Sequence, residues 1–325
     1  MLKLGDIELN VPFFQASLSG YSDYAMRRLA LDFGAPLTFA GVILAKSAAH
    51  PKVLAKPAFR PHDDEHPVGA QIMGETPPVM AKAAKALVGA GYDLIDLNFA
   101  CPAPKVLRRG RGGHLLKEPQ RVIEIFKAVR DAVECPVLMK LRLGFDNTPE
   151  SRNNIRQIVS AVSSTGVDAL VIHGRSVKQY YRGCADWRAL AELKRDFPQT
   201  TIIGSGDIFE AESAVKLLKD SGLDGLLIAR GAIGNPWIYC HLRAVLEGQV
   251  KPPLPDVTEQ GRVMLRHFQG ISEIYAARKA VGYFRKFAVN YCSLHPSRKK
   301  AQQTLLSAET PEELLLAIKQ WYNVS

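Results

Sequence analysis

The feature that most constrains this chain is an alternation of short apolar runs with amphipathic stretches through its first three quarters. Eight runs have the length and β-branched content of buried strands, at residues 12–17, 37–43, 68–73, 93–98, 136–141, 168–173, 200–204 and 224–229. Helical patterns follow most of them, most clearly at 77–90, 120–133, 153–165, 187–197 and 210–221. Eight such units over about 240 residues predict an α/β fold of the (β/α)8 TIM-barrel type.

The competing interpretation is an open, doubly wound parallel sheet. That fold usually carries a Gly-x-Gly-x-x-Gly phosphate loop directly after its first strand. Here the first strand is followed by Ser17-Leu18-Ser19-Gly20-Tyr21-Ser22, which lacks this glycine spacing. We therefore favour the barrel.

A proline-rich segment follows the barrel pattern. Residues 248–257 include Pro252, Pro253 and Pro255, which predict a stiff linker. Beyond it, helices are expected at 258–276, 278–291, 297–307 and 310–322. The last has a helix-start signal, because Thr310 precedes Pro311 and two acids. We expect a catalytic barrel over residues 1–247, the linker at 248–257, and a small all-α domain over 258–325.

Composition excludes several classes of protein. The 325 residues are 47% hydrophobic, and no apolar run reaches the roughly 18 residues of a membrane span, so no membrane partner is expected. The five cysteines are scattered, odd in number and without a Cys-x-x-Cys pair, which argues against disulfides and zinc and for a reducing cytoplasm. No cluster of His, Asp and Glu has metal-ligand spacing, so we expect no metal.

The charge distribution indicates a polyanionic partner. The net charge is +10, and nine Lys or Arg but a single acid, Glu273, lie between Arg262 and Lys300. Such a density of positive charge favours RNA as the partner of the helical domain. A solvated helix face is the alternative explanation.

Nearly every predicted strand has a polar or charged side chain at or just past its carboxyl end, where barrels have their active sites. These groups are Ser17, Ser19, Lys46, Gln71, Asn98, Cys101, Lys140, Arg142, His173, Arg175, Ser205, Asp207 and Arg230. Burying each of these polar groups costs desolvation free energy, which a purely structural rim would have no reason to accept. Together they therefore predict an active site. Gly204-Ser205-Gly206-Asp207 and Ala229-Arg230-Gly231 follow the last two strands, where barrels commonly bind phosphate. The Gln71 amide and the Lys140 ammonium suit a heteroaromatic ring, so we expect flavin mononucleotide (FMN).

Cys101 follows a buried strand in the loop Asn98-Phe99-Ala100-Cys101-Pro102-Ala103-Pro104-Lys105. Most cysteines are small inert hydrophobes. Here the prolines on either side of Ala103 stiffen the loop, and the position after the strand suits chemistry.

This loop belongs to a set of segments through which the chain resembles the tRNA-dihydrouridine synthases, of the bacterial, FMN-dependent type. The other segments are Gly110–Leu116, Met139–Gly144, His173–Ser176, Gln179–Gly183, Ala185–Trp187, Ile203–Ile208, Ala229–Trp237 and Phe284–Lys286. The resemblance spans nearly the whole chain. The Asn-to-Cys loop, Ala-Asp-Trp and Gly-Asn-Pro-Trp are its specific parts. Four positions differ from the usual family pattern: Phe99-Ala100 replaces Met-Gly, Ser205 replaces Asn, and Phe287 replaces His.

The resemblance implies reduction of the C5=C6 bond of uridine in tRNA. NADPH would reduce FMN, hydride would pass from flavin N5 to C6, and Cys101 would give a proton to C5. The implied cofactor-binding residues are Ser17, Gln71, Lys140, His173, Ser205, Gly206, Asp207, Ala229 and Arg230. The implied substrate-binding residues are Asn98, Lys105, Arg142, Arg175, Arg278, Arg285 and Lys286. The basic run Lys105, Arg108, Arg109 and Arg111 is interpreted as facing RNA phosphate.

Two other functions are considered. One is an FMN barrel oxidoreductase acting on a free small molecule, like a dihydroorotate or dihydropyrimidine dehydrogenase. The other is a non-catalytic RNA-binding module that kept the barrel. The basic helical domain argues against the first, and the intact cysteine and strand-end groups argue against the second. We expect a cytoplasmic monomer whose partner is tRNA.

Overall fold

The computed structural model describes residues 1–48 and 50–324. The chain begins with an antiparallel hairpin of β1 (Leu2–Leu4) and β2 (Ile7–Leu9), which lies outside the eight predicted strands. Its leucines join the apolar cluster inside the barrel. Gly5, in the hairpin turn, lies against Pro136 and Asp168, which precede two barrel strands. The hairpin therefore covers the end of the barrel at which the strands begin.

One sheet of parallel strands forms the barrel. Its members are β3 (Phe13–Gln15), β4 (Thr38–Phe39), β5 (Ile43–Leu44), β6 (Val68–Met73), β7 (Leu94–Asn98), β8 (Val137–Arg142), β9 (Ala169–His173), β10 (Ile202–Ser205) and β11 (Gly225–Ile228). The order is β3-β11-β10-β9-β8-β7-β6-β4, with β5 also paired to β6. The N–H of Gln15 donates to the carbonyl of Leu37 at 3.1 Å and so joins the two ends of the sheet. The predicted (β/α)8 barrel is confirmed.

The second predicted strand, 37–43, is broken into β4 and β5. Between them, the carbonyl of Ala40 accepts from the Ser17 hydroxyl at 2.7 Å, and the N–H of Gly41 donates to the carbonyl of Ser22 at 3.1 Å. These backbone groups bond to the loop after β3 rather than to a neighbouring strand. The break therefore ties this loop to the upper end of the barrel.

Helices follow the strands along the chain, and the longer ones cover the outer side of the sheet. They are α1 (Tyr24–Asp32), α2 (Ala45–Ala48), α3 (Pro51–Leu54), α4 (Pro77–Val88), α5 (Pro104–Leu107), α6 (Pro119–Arg130), α7 (Pro149–Ser164), α8 (Trp187–Asp196), α9 (Ala211–Ser221) and α10 (Ile238–Leu246). The five helical patterns predicted within the barrel correspond to α4, α6, α7, α8 and α9. Their apolar faces bury against the strands, as amphipathic periodicity requires.

Four more helices follow the proline-rich segment: α11 (Val257–Ile274), α12 (Ala277–Tyr291), α13 (Arg298–Ser307) and α14 (Pro311–Tyr322). Thr310 caps α14, as expected, by accepting a hydrogen bond from the N–H of Glu313 at 3.2 Å. Buried side chains of these helices, such as Phe268 and Phe287, continue the apolar core of the barrel's outer layer. Among the described residues, no helix has both the length and the apolar character needed to cross a membrane.

A buried ion pair fixes the irregular segment between α3 and β6. The Arg27 guanidinium in α1 donates to both carboxylate oxygens of Glu65, at 2.7 and 2.8 Å. It also donates to the carbonyls of Ser22, Ala58 and Arg60. Both side chains are fully buried, and the set of bonds compensates their desolvation.

Candidate active site

A cleft of about 370 Å³ opens at the carboxyl ends of the barrel strands. This volume lies within the roughly 300–1,000 Å³ typical of ligand pockets. All nine residues that the resemblance assigned to the cofactor line it: Ser17, Gln71, Lys140, His173, Ser205, Gly206, Asp207, Ala229 and Arg230. Cys101 lines it together with Asn98 and Arg142. The other residues assigned to the substrate lie outside its wall: Lys105, Arg175, Arg278, Arg285 and Lys286.

Two glycine-containing turns after β10 and β11 form one side of the cleft. Gly206 has a φ of +125°, and a Cβ there would lie 2.7 Å from the Cβ of Ala185. A Cβ on Gly231 would overlap the carbonyl oxygen of Ile208. Both positions require glycine, which lets the backbone approach a ligand closely. Within residues 1–48 and 50–324, the N–H groups of Gly206 and Asp207 have no acceptor.

An ion pair holds the first of these turns. Arg175 donates to the two carboxylate oxygens of Asp207 at 2.9 and 2.6 Å, and the N–H of Ala185 adds a bond of 2.8 Å. Burial would raise the pKa of Asp207, but these hydrogen bonds lower it below its ordinary value. Arg175 also donates to the carbonyls of Arg182 and Gly183. Its guanidinium is thus bonded within the protein, and Arg175 does not line the cleft.

The electrostatic character of the cleft is cationic. Burial, followed by repulsion from Arg142, lowers the pKa of Lys140 to about 7, against the attraction of Asp96. Burial and the nearby cations, including Arg230, hold the pKa of His173 far below its usual range. The imidazole is therefore neutral at pH 7, with one donor and one acceptor nitrogen. Such a wall attracts an anionic or electron-rich ligand.

The loop that carries Cys101 is held from three sides. The side-chain oxygen of Asn98 accepts hydrogen bonds from the N–H groups of Ala100 at 3.1 Å and Cys101 at 3.0 Å. Arg142 donates to the carbonyl of Ala100 at 2.8 Å, and the N–H of Gly113 donates to the carbonyl of Cys101 at 3.0 Å. The half-buried thiol is thereby fixed on the cleft wall, where it can exchange a proton with a bound ligand.

The basic run after Cys101 does not act as one surface. Three of its members are exposed: Lys105, Arg108 and Arg109. Arg111 instead donates to both carboxylate oxygens of Glu75, at 2.5 and 2.9 Å, and its side chain is only 12% exposed. The interpretation that this run faces RNA is therefore wrong for Arg111, because an acidic partner distant in sequence occupies it.

The three cations assigned to the substrate on α12 also differ in their surroundings. Arg278 is exposed. Arg285 is half-buried and donates to the carbonyl of Ala308, at the end of α13. Lys286 donates to the carbonyl of Gly20, and its ammonium lies 3.4 Å from the centroid of the Tyr283 ring. Of these three residues, only Arg278 is exposed.

Two exposed aromatic residues on the cleft wall had no assigned role. Tyr181 and Phe209 line it and are 44% and 49% exposed. The guanidinium of Arg230 lies 4.2 Å from the Tyr181 centroid and 5.6 Å from that of Phe209. Tyr181 falls in a segment that carried the family resemblance, so that signal could have identified it. Phe209 follows β10 without a recognisable motif.

The residues present fit a flavin mononucleotide. The free N–H groups of Gly206 and Asp207 and the side chain of Arg230 suit a phosphate. The Nδ1 atom of His173 is buried and has no partner in the described part of the chain, as a ring-binding polar atom would be. Lys140 adds an amine whose pKa is lowered to about 7 at the same wall. No group of three or more metal-ligating side chains occurs among the described residues.

Comparisons with solved structures show the fold. Over 76% of this chain and 52% of the other, it resembles a 2-naphthoyl-CoA reductase complex, with a TM-score of 0.60 and 13% identity. Histamine dehydrogenase from Rhizobium sp. 4-9 gives a TM-score of 0.59 at 14% identity, over 82% of this chain and 50% of the other. The chain thus spans about half the length of these two structures.

Sequence comparisons extend over nearly the whole chain. A probable tRNA-dihydrouridine synthase of Rhodobacter capsulatus is 33% identical over 300 residues, covering 88% of this chain and 90% of the relative. tRNA-dihydrouridine synthase B of Proteus vulgaris is 31% identical over 326 residues, covering 99% of this chain and 98% of the relative. The family described as dihydrouridine synthase (Dus) matches residues 14–323. The chain therefore belongs to the dihydrouridine synthase family.

Proposed function

We propose that this protein is an FMN-dependent tRNA-dihydrouridine synthase, which uses NADPH to reduce the C5=C6 bond of a uridine in tRNA. The observation that carries the proposal is the position of Cys101. It lies on the wall of a cationic cleft at the mouth of a barrel, in a chain whose relatives are named for this activity. A flavin and a thiol facing one cleft suit the transfer of a hydride and a proton to a single double bond.

Bound FMN, restored to its reduced form by NADPH, would supply the hydride that reaches C6 of the uracil ring. Cys101 donates its thiol proton to C5, so that C5 and C6 each gain one hydrogen and the double bond becomes single. The resulting thiolate recovers a proton from solvent. Asn98 and Arg142 hold the uracil edge, since both line the cleft beside Cys101.

The chain's own groups would hold the cofactor at two places. The turn at Ser205-Gly206-Asp207 and the turn at Ala229-Arg230 would bind its phosphate through backbone N–H groups and the guanidinium. Gln71, Lys140 and His173 would contact its ring with Ser17. The serine at position 205 leaves the phosphate turn intact, because backbone N–H groups provide the donors there.

RNA would reach the cleft across exposed cations. Lys105, Arg108 and Arg109 are exposed on the segment that follows Cys101. On the C-terminal helices the exposed cations include Arg278, Lys279, Arg298, Lys299 and Lys300. We propose that residues 258–325 form an RNA-binding domain joined to the FMN-binding barrel, 1–247, by the segment 248–257. The target base would leave its stack to enter the cleft, where the exposed rings of Tyr181 and Phe209 offer stacking surfaces.

The alternative of a flavin enzyme acting on a free pyrimidine is less well supported. Its substrate would need neither the exposed cations around Cys101 nor those of α12 and α13. We place the protein in the cytoplasm, consistent with five free cysteines, and propose that it acts as a monomer.

The proposal is tested with the purified protein and tRNA transcribed without modifications. We expect a yellow protein that oxidises NADPH and forms dihydrouridine in the transcript. Free uridine at the same concentration serves as the comparison. Equal turnover of free uridine and tRNA would contradict the proposal and favour the small-molecule enzyme.

A further inference from the structure

A chain of side-chain hydrogen bonds runs from the barrel interior to the Cys101 loop. The Nε2 group of Gln71 donates to Oδ2 of Asp96 at 2.6 Å, and the Nδ2 group of Asn98 donates to Oε1 of Gln71 at 2.7 Å. The Oδ1 atom of Asn98 then accepts from the N–H groups of Ala100 and Cys101. Each amide in the chain thus has its oxygen turned toward the loop and its nitrogen toward Asp96.

The strand register explains why these side chains meet. Gln71 in β6 is the direct neighbour of Asp96 in β7, and Asn98 stands two residues further along the same strand. Alternation along β7 therefore places Asp96 and Asn98 on the same, inner face as Leu94. Asp96 lies one layer below Asn98 and is 4% exposed, whereas Gln71 and Asn98 reach the cleft.

The carboxylate fixes the direction of the whole chain. An ionised Asp offers only acceptors, whereas a primary amide offers a carbonyl on one side and two N–H donors on the other. Asp96 can therefore bond only to the amide nitrogen of Gln71. The oxygen of Gln71 then accepts from the amide nitrogen of Asn98. The Asn98 oxygen is left for the two backbone N–H groups of the Cys101 loop. Each amide nitrogen also keeps a second N–H beyond these bonds.

Asp96 has a charged neighbour, Lys140, whose attraction is smaller than the cost of burying the carboxylate. Burial raises the pKa of Asp96 to about 6, which expresses the cost of its charge there. Its Oδ1 atom is buried without a hydrogen-bond donor among residues 1–48 and 50–324. An unpaired buried acceptor of this kind calls for an explanation in function.

We propose that Asp96 is a positioning residue that orients the Gln71 and Asn98 amides and thereby holds Cys101 in place for proton donation. The inference deepens the proposed function, on which its catalytic part rests. The positioning itself is a property of the chain and can be measured without turnover. Asp96 does not line the cleft, so its effect passes through the two amides.

Two variants separate charge from hydrogen bonding. Asp96→Asn keeps an acceptor but no longer forces one orientation on Gln71, whereas Asp96→Leu removes the acceptor. Asp168→Asn is the matched control, since this carboxylate bonds Arg130 at 3.0 Å and the N–H of Val137 at 2.7 Å, at the opposite end of the strands. It makes the same chemical change at a place remote from Cys101.

The first readout is alkylation of the purified, flavin-containing protein by iodoacetamide, measured peptide by peptide. In the Asp96 variants the Cys101 loop loses its anchor, so we expect Cys101 to react at least about threefold faster than in the wild type. Exposed Cys184 is an internal reference whose rate stays constant. A Cys101 rate within the error of the wild-type value in both variants would overturn the positioning role.

The second readout measures the two half-reactions separately: reduction of the flavin by NADPH and its oxidation by tRNA. We expect reduction of the bound flavin by NADPH to change less than its oxidation by tRNA. The oxidation should slow about tenfold in Asp96→Asn and about a hundredfold in Asp96→Leu, because a displaced reacting group costs about that much. If Asp96→Leu fails to bind flavin, Asp96→Asn decides alone. Equal slowing of both half-reactions would overturn the proposal. A wild-type protein inactive on tRNA would contradict the proposed function, but the alkylation result would still decide the positioning role.

Discussion

The ammonium of Lys286, in α12, donates a hydrogen bond to the carbonyl of Gly20, in the loop after β3. It also lies 5.3 Å from the centroid of the Tyr21 ring. Neighbouring residues of the same loop, Ser17 to Ser19, line the cleft. A cation expected to contact RNA therefore joins the C-terminal helices to the wall of the candidate active site.

Because of this contact, Arg278 and Lys286 of α12 should contribute differently to the salt dependence of tRNA binding. Each phosphate contact contributes about one unit to the slope of log K against log salt. Exposed Arg278 can make such a contact, whereas Lys286 is committed within the protein. We expect Arg278→Met to reduce the slope by about one and Lys286→Met to leave it unchanged while weakening flavin binding. An equal loss of slope in both variants would refute the internal role of Lys286.

The buried pair of Arg27 and Glu65 predicts a large effect on stability. Arg27→Met leaves the Glu65 carboxylate buried without its partner, which costs about 3–5 kcal/mol. The adjacent Arg28 pairs with Asp64 at the surface, with side chains 41% and 51% exposed. Arg28→Met should therefore cost less than about 1 kcal/mol. Urea unfolding measures both, and similar losses in the two variants would contradict this assignment.

The pH dependence of stability should report on Asp23, the N-cap of α1, which accepts from the N–H of Met26 at 3.0 Å. Burial raises the pKa of Asp23 to about 6, despite this bond. Its contribution to stability is therefore fully present below about pH 4 and is lost as the pH rises through 6. Asp23→Asn keeps the cap without the charge. We expect the free energy of unfolding of this variant to exceed that of the wild type by on the order of 1–3 kcal/mol at pH 8 and to equal it at pH 4.

The control for this experiment is Asp256→Asn, a change at the exposed N-cap of α11. Thermal or urea unfolding of the three proteins across pH 4–8 gives the comparison. A stability difference between Asp23→Asn and the wild type that does not vary with pH would contradict the prediction.

Packing against Cys101 predicts a specific effect of a methyl group at Gly112. A Cβ there would lie 2.9 Å from the Cβ of Cys101 and 2.9 Å from a methyl of Val106. Gly112→Ala should displace the thiol and slow reduction of tRNA by about 10–100-fold, with flavin reduction by NADPH preserved. Gly110 has a similar positive φ, +65° against +56°, but open space around it. Gly110→Ala therefore controls for backbone strain, and an equal defect there would refute the packing explanation.

The barrel was predictable because its signals are local. Most strands are continuous apolar runs, and the cleft residues lie at or near the carboxyl ends of strands, as with Lys140 in β8 and His173 in β9, so order along the chain places them on one rim. The hairpin of β1 and β2 was not predicted, because a three-residue strand is too short to show the alternation of apolar and polar residues.

The partners of individual charges were not predictable in this way. Arg111 pairs with Glu75, 36 residues away, and Lys286 with the backbone of Gly20, 266 residues away. Which cations face solvent depends on such tertiary contacts, whereas the sequence supplies only their number. The direction of the amide chain behind Cys101 likewise appears only when β6 and β7 are aligned.

The most direct test of the central claim is a position-resolved map of dihydrouridine in tRNA from a strain that lacks this gene, complemented with the wild type or with Cys101→Ala. We predict that dihydrouridine is lost from at least one tRNA position, restored by the wild type, and not restored by Cys101→Ala. The purified variant should still bind flavin and oxidise NADPH. A map unchanged by deletion would contradict the proposed function, and full restoration by Cys101→Ala would contradict Cys101 as the proton donor.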